Sequence, residues 1–186
     1  MPFDFSQREV PSESTRFSDT VELDKRCHTP NVRGPDSSAL SSWFAEHIAK
    51  ASASRSETVW QALPEHVVQD FDDGMEFSVG DIQYLFLTAA DPTTATPLAA
   101  FALHLIGVLG EEQLLPSNAL ARAIEEALKR PTPVIRRYAI EAAWQARCEN
   151  ARVLNLIRDL TDSSQPFQLR LTAKAALQSL GRSDGE

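Results

Sequence analysis

Two sets of charged side chains in this 186-residue chain are spaced closely enough to do chemistry. The first is Asp70-Phe71-Asp72-Asp73-Gly74-Met75-Glu76, with the carboxylates of Asp70, Asp72, Asp73 and Glu76 inside seven residues. Carboxylates at that density suit a hard cation or a basic protein surface. A calcium loop places acidic ligands at positions one, three and five, glycine at six and a bidentate Glu at twelve. Here glycine falls at the fifth position and Asp81 at the twelfth, so the stretch reads as an acidic turn between helices. The second set is Arg136, Arg137, Arg170 and Lys174, with Tyr138 and Trp144 close by in sequence. Such a set suits an acidic peptide or a phosphate backbone.

Other chemistry is thin. His28, His47, His66 and His104 share no metal-ligand spacing. Glu46-His47 and Glu65-His66 are adjacent pairs, which point to different sides of a helix. His47 falls on an apolar stripe, as a core histidine does, while His104 falls off its stripe and is expected to be partly exposed. There is no glycine-rich phosphate loop, no Gly-x-Ser-x-Gly elbow and no Cys-x-x-Cys. Catalysis would need a dispersed constellation, for which His104, Glu141 and Asp159 are available. The expectation is therefore no catalytic residue, no metal and no cofactor.

The elements that must position these groups are organised by a repeat. Leu98-x-x-x-Ala102-x-x-Leu105-Ile106 is followed by Ile135-Arg136-x-x-Ala139-x-x-Ala142-Ala143 and then by Leu169-Arg170-x-x-Ala173-x-x-Ala176-Leu177. The anchors recur after 37 and 34 residues, within the range of stacked helical repeats. Each copy reads as a helix with an apolar stripe at i, i+4, i+7, i+8 and i+11. Pro97, Pro133 and Pro166 stand at or before the first turn, and Thr96 and Thr132 where an N-cap belongs. Gly110 and Gly181 are placed for left-handed residues closing their helices. Alanine at the second anchor calls for close approach by a neighbouring helix. Partner helices lie between, giving expected pairs 81–90 with 97–109, 118–129 with 133–147, and 150–161 with 166–180.

At this level the chain resembles the HEAT and HEAT-like repeat family over about residues 80–181. The family's second-helix signature, an apolar residue and Arg with Ala at the fifth position, matches Ile135-Arg136…Ala139 and Leu169-Arg170…Ala173. The first copy departs from it, with Ala99 where Arg is expected. The resemblance implies an all-α fold, a short right-handed α-solenoid of antiparallel helix pairs. It also implies that Arg136 and Arg170 stack along one side, each bonding a neighbouring turn or an acidic residue of the next repeat.

Ahead of the repeats, residues 37–78 read as capping helices. Leu40, Trp43, Phe44, His47, Ile48 and Ala51 make one stripe, from about Ser38 to Ala51. A second helical stretch carries Val59, Trp60 and Leu63, is broken or kinked at Pro64, and resumes from Glu65 to Phe71. Residues 1–36, with Pro2, Pro11, Pro30 and Pro35, sustain no periodicity and read as a flexible or extended arm. Phe3, Phe5 and Phe17 are the arm's bulky aromatics, and the arm has the alternative of lying across the helical part.

Composition is that of an ordinary globular chain, 42% hydrophobic and 24% charged. The first residues lack the basic and apolar regions of a signal peptide, and the longest apolar run is too short to span a bilayer. Cys27 and Cys148 are isolated, which suits a reducing cytoplasmic setting. Charge is unevenly placed. The net is −8, yet no Lys or Arg falls between Arg55 and Arg122, while residues 57–115 hold ten carboxylates. Residues 116–186 hold eleven cations against eight carboxylates.

These features favour a non-catalytic protein that grips a partner protein: an adaptor, inhibitor or immunity-type protein. Its acidic middle suits a basic partner such as a nuclease toxin. The alternative is nucleic-acid binding or processing along the basic C-terminal set.

Overall fold

The computed structural model describes residues 40–53 and 57–181, with the backbone alone for 57–61. The expected N-terminal arm, with Phe3, Phe5 and Phe17, lies outside the described residues. Among those described, all regular structure is helical: α1 (Ser42–Ala53), α2 (Glu57–Asp72), α3 (Val79–Ala90), α4 (Thr96–Glu111), α5 (Ser117–Lys129), α6 (Pro133–Gln145), α7 (Ala151–Asp159) and α8 (Phe167–Leu180).

The helices pack in two rows. In one, α4 packs on α6 and α6 on α8; in the other, α3 packs on α5 and α5 on α7. The rows join through the pairs α3–α4, α5–α6 and α7–α8, each made of helices consecutive in sequence. α1 and α2 pack on each other and on α4. Helix α4 is the centre. Ala99 to Leu103, Leu105 to Gly107 and Leu109 are all buried, leaving only Glu111 exposed. A helix apolar almost all round has no solvent face to keep, and α4 takes neighbours on every side. The outer helices α5 and α7 are amphipathic, burying Leu120, Ile124 and Leu128, and Val153 and Ile157, respectively.

Several local expectations need correction. Pro64 does not break α2, which runs through it as one helix with Pro64 buried. The ring removes a donor but fixes a helical φ, and packing on both sides retains the element. Thr96 is the first helical residue, preceded by Ala95 at the cap, and Thr132 caps α6 without a side-chain hydrogen bond. Side-chain caps are made instead by Ser78 for α3 and Asn150 for α7. Gly110 lies inside α4, and the left-handed residue beyond that helix is Gln113, at φ 56°. Gly181 closes α8 in a right-handed conformation. At Gly110 the missing Cβ matters for space. A Cβ there would come within 2.5 Å of the Ala146 Cβ and 2.5 Å of a Leu120 methyl. The glycine lets α4 approach α5 and α6 closely.

Candidate functional site

The acidic turn is built from the inside outward. Its inner wall is aromatic: Phe77 packs edge-on against Trp43 at 5.1 Å and Phe44 at 5.4 Å, with Phe71 at 5.6 Å. Trp43 donates its indole N–H to the Glu76 carbonyl at 3.3 Å. The chain reverses after α2 because Gly74 adopts φ 101°, so that Gly74 N bonds Phe71 O and Met75 N bonds Asp70 O. The turn then feeds α3 through a capping box: Asp81 N bonds Ser78 Oγ at 3.1 Å, and Ser78 N bonds Asp81 Oδ2 at 2.8 Å. Asp81 is wholly buried and also accepts from Ser41 N at 2.9 Å and Ser41 Oγ at 2.8 Å. The residue that would have been a calcium loop's twelfth ligand therefore fastens α1 to α3.

Outward, the turn presents Asp72, Asp73 and Glu76, all exposed, with Met75 48% exposed between them and Val79, at the start of α3, 45% exposed. Asp70 stands apart from this group. Its carboxylate lies 2.7 Å from Nε2 of buried His47, an attachment to the core that local spacing does not reveal because the partners are 23 residues apart. Asp73 accepts from Gln69 at 3.2 Å.

The predicted basic set divides in the same way. Arg136 donates Nε to the Arg130 carbonyl and Nη1 to Gln165 Oε1, tying the turn before α6 to the turn before α8. Arg130, which the sequence reading passed over, is buried and donates to Thr94 O at 2.8 Å and Pro92 O at 3.4 Å. Together the two arginines link the three turns that precede α4, α6 and α8. Arg137 pairs with Glu141 at 3.6 Å and lies over the Tyr138 ring. Arg170 is half-buried over the Phe167 ring, and Lys174 is exposed. Arg136 and Arg170 hold equivalent places in α6 and α8, but Arg136 is engaged by the fold.

His104 and Glu141 line one open groove of about 730 Å³ with Glu111, Trp144, Arg147 and Ser179, at the C-terminal ends of α4, α6 and α8. Burial lowers the His104 imidazole below its ordinary value against the raising effect of Glu65, and raises the Glu141 carboxyl against the lowering effect of Arg137. No described hydrogen bond joins His104 to Glu141. Asp159 is exposed on α7, in the other row, and does not line this groove. No group of three His, Cys, Asp or Glu among the described residues is placed to hold a metal ion. No described helix is long and apolar enough to cross a membrane. Cys148 is buried and free, its thiol raised chiefly by burial.

Trp144, named beside the basic set, is 52% exposed on α6; sequence reasoning missed the exposed Leu171 (54%) and Phe167 (65%) on α8. A signal existed. Phe167 and Leu171 both fall off the stripe formed by Leu169, Ala173, Ala176 and Leu180, and apolar side chains off a stripe point away from the core. Comparison with protein-family models, with curated proteins and with solved structures finds no match to this chain.

Proposed function

We propose that this chain is a non-catalytic protein-binding module of the adaptor, inhibitor or immunity type, working in the cytoplasm. In this reading its helix pairs form a short right-handed solenoid of HEAT-like repeats. The two-row packing supports that architecture, as does Arg136 bonding a neighbouring turn. The partner is basic and docks on the turn from Asp72 to Val79. One observation carries the reading: a turn mounted rigidly on an aromatic cluster and a buried carboxylate holds exposed Met75 among Asp72, Asp73 and Glu76. An apolar anchor ringed by charge, ordered before binding, is the arrangement that gives affinity with little entropic loss.

The experiment is to capture the partner from the host and follow association with the full chain. Asp72→Asn with Asp73→Asn slows association at low salt, and the gap closes at about 1 M salt, where the Debye length is about 3 Å. Met75→Ala instead speeds dissociation. Asp70 is left intact because its bond to His47 would confuse stability with binding. An acidic partner, or a wild-type association rate for the double variant, overturns the reading. Nucleic-acid binding along the basic set draws less support, since Arg136 and Arg137 already hold intramolecular partners.

A further inference from the structure

Two hollows meet at one pair of side chains. Glu141 and Trp144 line both the wide groove of about 730 Å³ and a smaller trough of about 290 Å³ between α6 and α8. They stand three residues apart on α6, so they share one face of that helix. The wide groove brings polar groups to the pair, among them His104 and Glu111 from α4 and Ser179 from α8. The trough brings hydrocarbon: Ile140, Leu171, Ala175 and Ala176, with Thr172 beside them. A ligand seated across the pair meets charge on one side and hydrocarbon on the other.

The charge is negative in balance. The two hollows are lined by two carboxylates, Glu111 and Glu141, and by one guanidinium, Arg147, in the turn beyond α6. Burial holds the His104 imidazole below its ordinary value, so it is uncharged at neutral pH. Glu111 already accepts from Gln145 Nε2 at 3.3 Å. Glu141 is placed differently. Its one partner among the described residues is Arg137, whose Nε stands 3.6 Å away, beyond hydrogen-bond length. Arg137 lines neither hollow, and its guanidinium lies over the Tyr138 ring. The Glu141 carboxylate is thus partly desolvated, with burial raising its carboxyl, and no described donor satisfies it. Such an acceptor gains from a ligand that brings a charged N–H.

Trp144 supplies the other requirement. Its ring is half-exposed, and its N–H donates to Ser179 Oγ at 2.9 Å, which fixes the ring before any ligand arrives. The face of an indole attracts a cation better than any other side-chain ring. An anionic ligand would meet two carboxylates and that same electron-rich face. A neutral apolar one would cover Glu141 without giving it a donor, at a desolvation cost.

We propose that the Glu141–Trp144 pair binds a small organic cation with an aliphatic tail. Its ammonium group lies against the Glu141 carboxylate and the indole face, and its tail lies in the trough beside Leu171. The site shares no residue with the acidic turn and needs no protein partner, so it stands or falls separately from the reading above.

The test titrates the full chain with n-butylammonium at constant ionic strength and follows the indole N–H signals of its three tryptophans by NMR. The Trp144 signal is identified by its loss in Trp144→Phe. That signal is expected to shift saturably, with a dissociation constant of about 1–10 mM for so small a ligand, while the other two stay in place. n-Butanol and n-butyrate, of the same length with neutral and negative heads, bind at least about tenfold more weakly. Methylammonium, which has no tail for the trough, is weaker by a similar factor. Glu141→Gln keeps the shape, removes the charge and weakens n-butylammonium about tenfold. Its side chain is 43% exposed, so the fold is expected to tolerate the change, and Glu141→Asp, which withdraws the carboxylate, serves as the second variant. Asp159→Asn, on exposed α7, leaves the affinity unchanged. Equal binding of n-butanol marks an apolar surface only and overturns the proposal. Full affinity in both Glu141 variants, methylammonium binding as tightly as n-butylammonium, or no saturable shift at Trp144 overturns it as well.

Discussion

The Asp81 carboxylate accepts from two residues that lie on different elements, Ser41 ahead of α1 and Ser78 at the cap of α3. Replacing it by alanine removes one half of the capping box and strands the part-buried donors of Ser41 and Ser78, at a cost of about 2–4 kcal/mol in urea unfolding. Asp81→Asn, which retains one acceptor oxygen, is expected to fall between the two. His104 sets a pH dependence. Burial lowers its folded pKa below the ordinary 6.5. Above the unfolded value both states are neutral and the stability contribution is complete. As pH falls past that value the unfolded chain takes the proton first, and stability is lost until the pH passes the folded value. Between about pH 7.5 and 5.5 the melting temperature of the wild type therefore drops further than that of His104→Gln, with the other three histidines common to both chains.

At the scale of the helix, Gly110 provides the sharpest test. Glycine to alanine inside a helix ordinarily gains about 1 kcal/mol. Here the new methyl would lie 2.5 Å from the Ala146 Cβ, which has no rotamer to yield, so helices must move apart. A net loss of about 1–3 kcal/mol in thermal or urea unfolding is expected, and Ala173→Leu, at a wholly buried position, costs a similar amount. An unchanged melt for either would count against the close contacts. The packed helices were legible in the sequence because the spacing of Leu98, Ala102 and Leu105 and its two echoes dictates which face is buried. The role of Gly110 was not, since a glycine after Leu109 looks alike whether it ends a helix or admits a neighbour. Of the acidic turn, the charge was legible, but the His47–Asp70 contact was not, because only tertiary packing brings those residues together. Arg130 escaped notice for the same reason. Its partners, the carbonyls of Pro92 and Thr94, are backbone atoms that carry no residue signature.

For the molecule as a whole, stability should grade outward from α4. Amides from Ala102 to Leu109 are expected to exchange last in native-state hydrogen exchange, because exposing them requires the helices on every side to leave. Removing the guanidinium of Arg136 unfastens the α7–α8 pair from the turn before α6. Arg136→Ala should therefore speed exchange in α7 and α8 while leaving α4 close to its wild-type rate. Equal acceleration throughout would mean that the chain opens only as one cooperative unit.

The two arginines also decide how the structure can breathe. Arg130 and Arg136 bind the turns at the starting ends of α4, α6 and α8, like pages sewn along one margin. The opposite margin is joined by Trp144 to Ser179, by Gln145 to Glu111 and by the close approach of α4 to α6 at Gly110. The wide groove lined by Glu111, Arg147 and Leu180 lies at that margin, away from the edge the two arginines sew. A ligand that enters there meets an open groove, while the margin behind it keeps the helices in register.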